Sequence, residues 1–214
     1  MSIIEFNSAC PIGNYCFGAA LLSNKKIRKE AMPFDWLFTT PKYTAEVIKN
    51  DFKDFLDKSY YVDIGLNEPD NERQAGHSLY HENFFNHKDP RLDGDYDYYV
   101  RCVDRFRDFM KKDDKKLFLC FFKNEKEMTT EMIDEVLELN KVLSEKTTNH
   151  HLMVHINFPY KVTEKPIISI DQKDNLTIFQ MHSLMDNHGL GYGHDLDDEE
   201  FEKAFDSIVK YVPK

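Results

Sequence analysis

The seven-residue run KLFLCFF at residues 116–122 constrains this chain more than any other feature. Apart from its leading lysine it is apolar without alternation, so a strand made from it has no face for water and must lie inside a sheet covered on both sides. The flanking segments supply the cover. Between residues 96 and 112, Tyr99, Val103, Phe106 and Met110 recur at helical spacing, and beyond a capping Thr129 or Thr130 so do Met132, Ile133, Val136, Leu139, Val142 and Leu143. HLMVHINF reads as a second buried strand, while PIISID and LTIFQMH read as a hairpin around the turn DQKDN. DDEEFEKAFDSIVKYV closes the chain as a helix with acidic residues in its first turn. The fold expected is α/β: one layered domain over residues 1–214, with a central mixed sheet flanked by helices and an antiparallel hairpin near the C-terminus.

The N-terminal half is less regular. SIIEF suits a short buried strand, and the following NSACPIGN reads as turn chemistry because of Pro11, Gly13 and Asn14. Helices are expected from Tyr15 to about Ser23 and from about Lys42 to Phe55, joined by a basic link and the segment MPFDWLFTTP, which holds the only tryptophan. Residues 63–97 show little periodicity and are rich in Asn, Asp, Gly and His, so they read as a long loop, functional or else mobile.

Charge narrows the function. A formal net charge of −10 repels phosphate backbones and anionic lipid, which argues against nucleic-acid or membrane-surface partners. The apolar runs are too short to span a bilayer and MSIIEFNSAC lacks the pattern of a signal peptide, so a cytoplasmic location is expected. The four cysteines show neither a CxxC pair nor a disulfide framework. Cys102 and Cys120 fall on core-facing positions, leaving Cys10 and Cys16 in loop-like context.

Cys16 follows a Gly-Asn turn and begins an apolar helical run. A helix N-terminus favours thiolate, and N–H groups of the 13–16 turn are suited to hold an oxyanion. A nucleophilic cysteine needs a base within hydrogen-bond reach. SLYHENFFNHKDP offers His81 and His87, with Glu82 and Asp89 close by in sequence.

The run IGNYCFGAALLSNKKIRKEAMPFDWLFTT resembles the opening of a family described as papain-like cysteine peptidases, a domain of unknown function. The matching features are the Gly-Asn turn before Cys, a short helix, a basic link and PFDW. KNDFKDFL and FFNHKDP before YYVRCVDRFRDFM extend the likeness over about residues 9–122. The resemblance implies Cys16 as nucleophile and His87 as base. The chain departs from the pattern upstream, where the inserted NSACP leaves Cys10 as a competitor. For the third catalytic member, Asn157 at the end of MVHINF and Asp89 two residues after His87 stand level. Asp35 is expected to accept backbone N–H groups of the TTP turn, and Trp36 to pack beneath the site.

His182, His188 and His194, with Asp186 and Asp195 among them, are imidazole and carboxylate donors suited to zinc, but their six-residue spacing makes a glycine-rich loop with incidental histidines the better reading. Gly189, Gly191 and Gly193 do not follow a strand into a helix, so no dinucleotide fingerprint is read there. The leading expectation is a cysteine hydrolase or acyltransferase acting on a peptide or other acyl substrate, with no cofactor or metal. The alternatives are an α/β enzyme acting on a glycan or nucleotide sugar, and a non-catalytic binding module.

Overall fold

The computed structural model describes residues 2–67 and 72–214. Strands β1 (Ile4–Phe6) and β2 (Ser8–Pro11) lead through residues 12–16 into α1 (Phe17–Asn24). The PFDW segment follows, then α2 (Pro41–Lys49), and a small sheet of β3 (Tyr61–Asn67), β4 (Glu72–His77) and β5 (His81–Phe85). The second half alternates: α3 (Asp93–Lys111), β6 (Lys116–Phe122), α4 (Thr130–Lys146), β7 (His150–Pro159), the hairpin β8 (Ile167–Lys173) and β9 (Leu176–Ser183), α5 (Asp195–Ile208) and β10 (Val209–Tyr211).

The main sheet has the order β2-β6-β7-β9-β8, parallel except for the antiparallel pair β8-β9. KLFLCFF is its second strand and every residue in it is buried. Because successive side chains point to opposite faces, Phe118, Cys120 and Phe122 join one core with α2, α3, α4 and β5. Leu117, Leu119 and Phe121 join the other with α1 and α5. Burying each of these Phe and Leu side chains stabilises the fold by roughly 1.5–3 kcal/mol. Lys116 is also buried, and its ammonium donates to the carbonyl oxygens of Lys112, Asp114 and Thr148, which satisfies the charge without an acid. The central mixed sheet flanked by helices, with a hairpin toward the C-terminus, is the expected architecture.

Several local expectations are corrected. Ser8–Pro11 is not turn but an edge strand, in parallel register with Ser8 opposite Lys116 and Pro11 opposite Leu119; a proline is tolerated there because an edge strand leaves one side of the ladder unpaired. The helix expected to reach Phe55 stops at Lys49, because Asp51 and Phe52 adopt positive φ, although Phe52 and Phe55 remain buried. The segment read as a long loop is the antiparallel sheet β3-β4-β5; residues 68–71, within that reading, lie outside the described residues. Irregular register at Asp63/Leu66 and Ala75/His77 explains why no alternation shows in its sequence. The closing helix ends at Ile208, and Val209–Tyr211 pairs with β1 as a parallel strand. Among the described residues no helix is long and apolar enough to cross a membrane.

Candidate active site

The parallel strands β2, β6, β7 and β9 run in one direction, so the segments leaving their carboxyl ends gather at one edge of the sheet, where open α/β sheets present their ligand sites. Residues 12–16 leave β2, Lys123 and Asn124 leave β6, Asn157 lies near the end of β7, and residues 184–194 leave β9. The small sheet faces this edge. Leu37 bridges to Phe85 and Phe38 N–H donates to Phe84 O at 3.1 Å, which seats the PFDW segment beside β5 and the residues that follow it.

Cys16 is the N-cap of α1, with helical φ −60° and ψ −23° and no side-chain capping bond of its own. Its helix is buried from Phe17 to Leu22, so α1 is held by packing and not by an amphipathic stripe. Gly13 makes the preceding turn possible: its φ is +105°, and a Cβ there would overlap the Thr39 methyl group.

Cys16 Sγ lies 3.7 Å from His87 Nε2. His87 sits two residues past the end of β5 and packs edge-on against Trp36, with ring centroids 6.0 Å apart. His81, on β5, is exposed and its Nδ1 accepts the backbone N–H of Asn83. Cys10 is fully buried in β2 with its thiol toward Pro11 O, so it does not compete for the position of Cys16.

A residue missed in the sequence joins the pair. Asn86 Nδ2 lies 3.0 Å from His87 Nε2. The orientation of this amide follows from its neighbour Gln74 on β4, whose Nε2 donates both to the backbone oxygen of Asn86, at 3.2 Å, and to Asn86 Oδ1, at 2.8 Å. A backbone oxygen only accepts, so the Gln74 atom must be nitrogen, the facing Asn86 atom oxygen, and the Asn86 NH2 group must face the imidazole. His87 Nε2 is then an unprotonated acceptor shared by Asn86 and the thiol. Only its adjacency to His87 marked Asn86 in the sequence; Gln74 is joined to it through the irregular small sheet.

The electrostatics differ from expectation. Burial pushes the Cys16 thiol above its ordinary pKa, against the lowering influence of its own backbone N–H, the Asn86 amide and the Lys123 ammonium. Desolvation thus outweighs the helix N-terminus in setting the direction of the shift.

The two candidates for a third member have other bonds. Asp89 is buried, and both of its oxygens accept from the Arg91 side chain, each at 2.8 Å. Burial acts to raise its pKa, but the Arg91 hydrogen bonds outweigh it and hold the carboxyl below the usual range. Arg91 also pairs with Asp63 at 2.8 Å, so Asp89 ties the turn after His87 to β3. Asn157 donates to Asn124 Oδ1 at 2.9 Å and accepts from Ser183 Oγ at 2.8 Å. Asn124 Oδ1 in turn accepts the N–H of Asn187, whose own Oδ1 accepts the N–H of Gly189. A Cβ on Gly189 would lie 4.0 Å from that of Cys16, so this chain of amides positions the loop beside Cys16.

Asp35 accepts from Arg28 Nε and NH2 and from the Met32 N–H, and not from the TTP turn as expected. Trp36 is half-buried, packs against His87 and lines a cleft beside it. The three C-terminal histidines serve separate local roles: His182 packs on Phe158, His188 N–H donates to Gly191 O, and His194 caps α5 by accepting Leu196 N–H. Among the described residues no group of three or more His, Cys, Asp or Glu is arranged to hold a metal ion. Comparisons with protein-family models, with curated proteins and with solved structures gave no match to this chain.

Proposed function

We propose that the chain is a cysteine-dependent acyl-transfer enzyme of papain-like type, a hydrolase or acyltransferase of amides or esters. The observation that carries this reading is the approach of Cys16 Sγ to His87 Nε2, 3.7 Å, at the start of a buried helix. The resemblance over residues 9–122 points to the same pair. His87 Nε2 takes the thiol proton as Sγ attacks the substrate carbonyl, so the thiolate forms only as it is consumed. Once Nε2 is protonated it no longer accepts from Asn86. The released amide and the Cys16 N–H, both hydrogen-bonding influences on the thiol, then donate to the developing oxyanion. The C–N or C–O bond then breaks, the proton on Nε2 passes to the leaving amine or alcohol, and the acyl group stays on sulfur as a thioester. Water, or a second acceptor, attacks the thioester with His87 again as base and restores the thiol.

The test is the pH dependence of alkylation at each cysteine, read by peptide mass spectrometry in the native protein and in His87→Ala. A buried thiol served by a base should react near neutral pH through His87 and go on accelerating above the unperturbed thiol pKa of about 8.5. His87→Ala should slow the neutral-pH reaction. Inertness of Cys16, or indifference to His87→Ala, would overturn the reading and make sugar-nucleotide binding the next assay.

A further inference from the structure

Beside the imidazole lies an open cleft of about 360 Å³ lined by Trp36, His87, Lys88, Tyr98 and Tyr99. Four of the five walls carry aromatic rings, one of them the His87 imidazole. The one ammonium is already engaged: Lys88 Nζ pairs with Asp95 at 3.0 Å and sits 4.7 Å over the Tyr98 ring. The cleft is thus mainly apolar and offers ring faces and edges without a spare charge, which suits a planar ring that packs offset or edge-on. The Arg28 guanidinium lies over the Trp36 ring, 5.7 Å from its centroid, and is itself held by the buried Asp35.

The position of the cleft decides which half of a substrate enters it. His87 is one of its walls and Cys16 is not. The acyl half must remain on sulfur, whereas the leaving half must meet the imidazole that protonates it. We propose that this cleft binds an aromatic ring carried on the leaving-group or acyl-acceptor side of the substrate, an arylalkyl amine or alcohol. The assignment of sides rests on the acyl-transfer reading above; the affinity for an aromatic ring does not.

Trp36 is the only tryptophan, so its emission reports on the cleft directly. In Cys16→Ser, which removes the thiol, titration with phenylethanol should change Trp36 emission saturably, and cyclohexylethanol should bind several-fold more weakly because it lacks a π-face. Tyr98→Ala, with Tyr98→Leu as the gentler variant and circular dichroism to check folding, should weaken phenylethanol by about tenfold. In the native protein, phenylethyl acetate should exceed ethyl acetate in kcat/KM, and the ratio should collapse in both Tyr98 variants. No saturable emission change, or equal binding of the two alcohols, would overturn the aromatic cleft. Cysteine-dependent cleavage of both esters at equal rates would overturn its place on the leaving-group side while leaving the proposed function standing. Aromatic binding with an inert Cys16 would remove the acyl-transfer reading, and the side assignment with it, but keep the cleft.

Discussion

The side-chain amide of Asn86 donates to the same imidazole nitrogen of His87 that faces the Cys16 thiol, 3.0 Å on one side and 3.7 Å on the other. One lone pair thus serves two donors, and protonating it frees the amide. Asn86→Ala should lower kcat on an activated ester by about a hundredfold, the scale for losing one oxyanion donor, with little change in KM. Asn86→Asp should do more than remove the donor. Its negative charge opposes the thiolate, so the pH profile of Cys16 alkylation should move further upward. An Asn86→Ala enzyme with native kcat would remove this residue from the chemistry.

Gln74 touches neither sulfur nor imidazole and acts through Asn86. Gln74→Ala lets the amide turn over and present its oxygen to His87. The expected loss in kcat is about tenfold, smaller than for Asn86→Ala because the donor remains and is only misaligned part of the time. The diagnostic readout is the pH profile. Oxygen facing Nε2 favours imidazolium, which cannot act as base, so the acidic limb for ester turnover should move to higher pH; an unchanged profile would make Gln74 a purely structural residue.

The four thiols should separate cleanly in native protein. Cys10 and Cys102 have no exposed surface and Cys120 is 1% exposed, while Cys16 is partly open. Burial also pushes the Cys120 thiol up to about 12 and Cys10 well above its ordinary value. Alkylation under native conditions should label Cys16 alone, and addition of denaturant should release the other three. Early labelling of Cys10 would contradict its place in β2.

Gly13 holds a left-handed φ against the Thr39 methyl, so Gly13→Ala combines backbone strain with overlap. The expected cost is about 1–3 kcal/mol, measured as a lowered urea midpoint at constant slope. Replacing Thr39 by Ser in the same protein removes the methyl group and should restore part of this, leaving the φ contribution.

Acid should destabilise the fold through His155. This imidazole is buried, its Nδ1 donating to Phe179 O and its Nε2 accepting from Tyr192 Oη at 2.6 Å. Burial, opposed only by the Phe179 contact, lowers its pKa to about 3. Between that value and about 6.5 the unfolded chain binds a proton that the folded chain does not. The stabilisation is therefore complete above about 6.5 and declines as pH falls, by about 1.4 kcal/mol per unit for this one group. His151, lowered by burial to about 4, adds to the slope in the same direction. Denaturant midpoints followed from neutral pH to pH of about 4.5 should show this slope, and His155→Gln should remove one proton's share.

The α/β architecture was legible because its signals are local. KLFLCFF leaves no face for water, the spacing of Tyr99, Val103 and Phe106 fixes a helix face, and LTIFQMH after DQKDN fixes a hairpin, each within one stretch of chain. Cys16 and His87 were also legible as candidates, one from its turn and helix and both from a resemblance. What joined them was not. Strand β2 exists because β6 offers it a ladder, and Val209–Tyr211 is a strand because β1 does; those hydrogen bonds span more than a hundred residues. The small sheet carries register shifts that erase its alternation, so Gln74 and Asn86 could not be paired by reading along the chain. The commitments of Asp89 to Arg91 and of Asn157 to Asn124 and Ser183 depend on which groups arrive beside them. Even the sign of the Cys16 pKa shift reversed, because a helix N-terminus is written in the sequence, whereas the depth at which the surrounding layers bury the sulfur is set by tertiary packing.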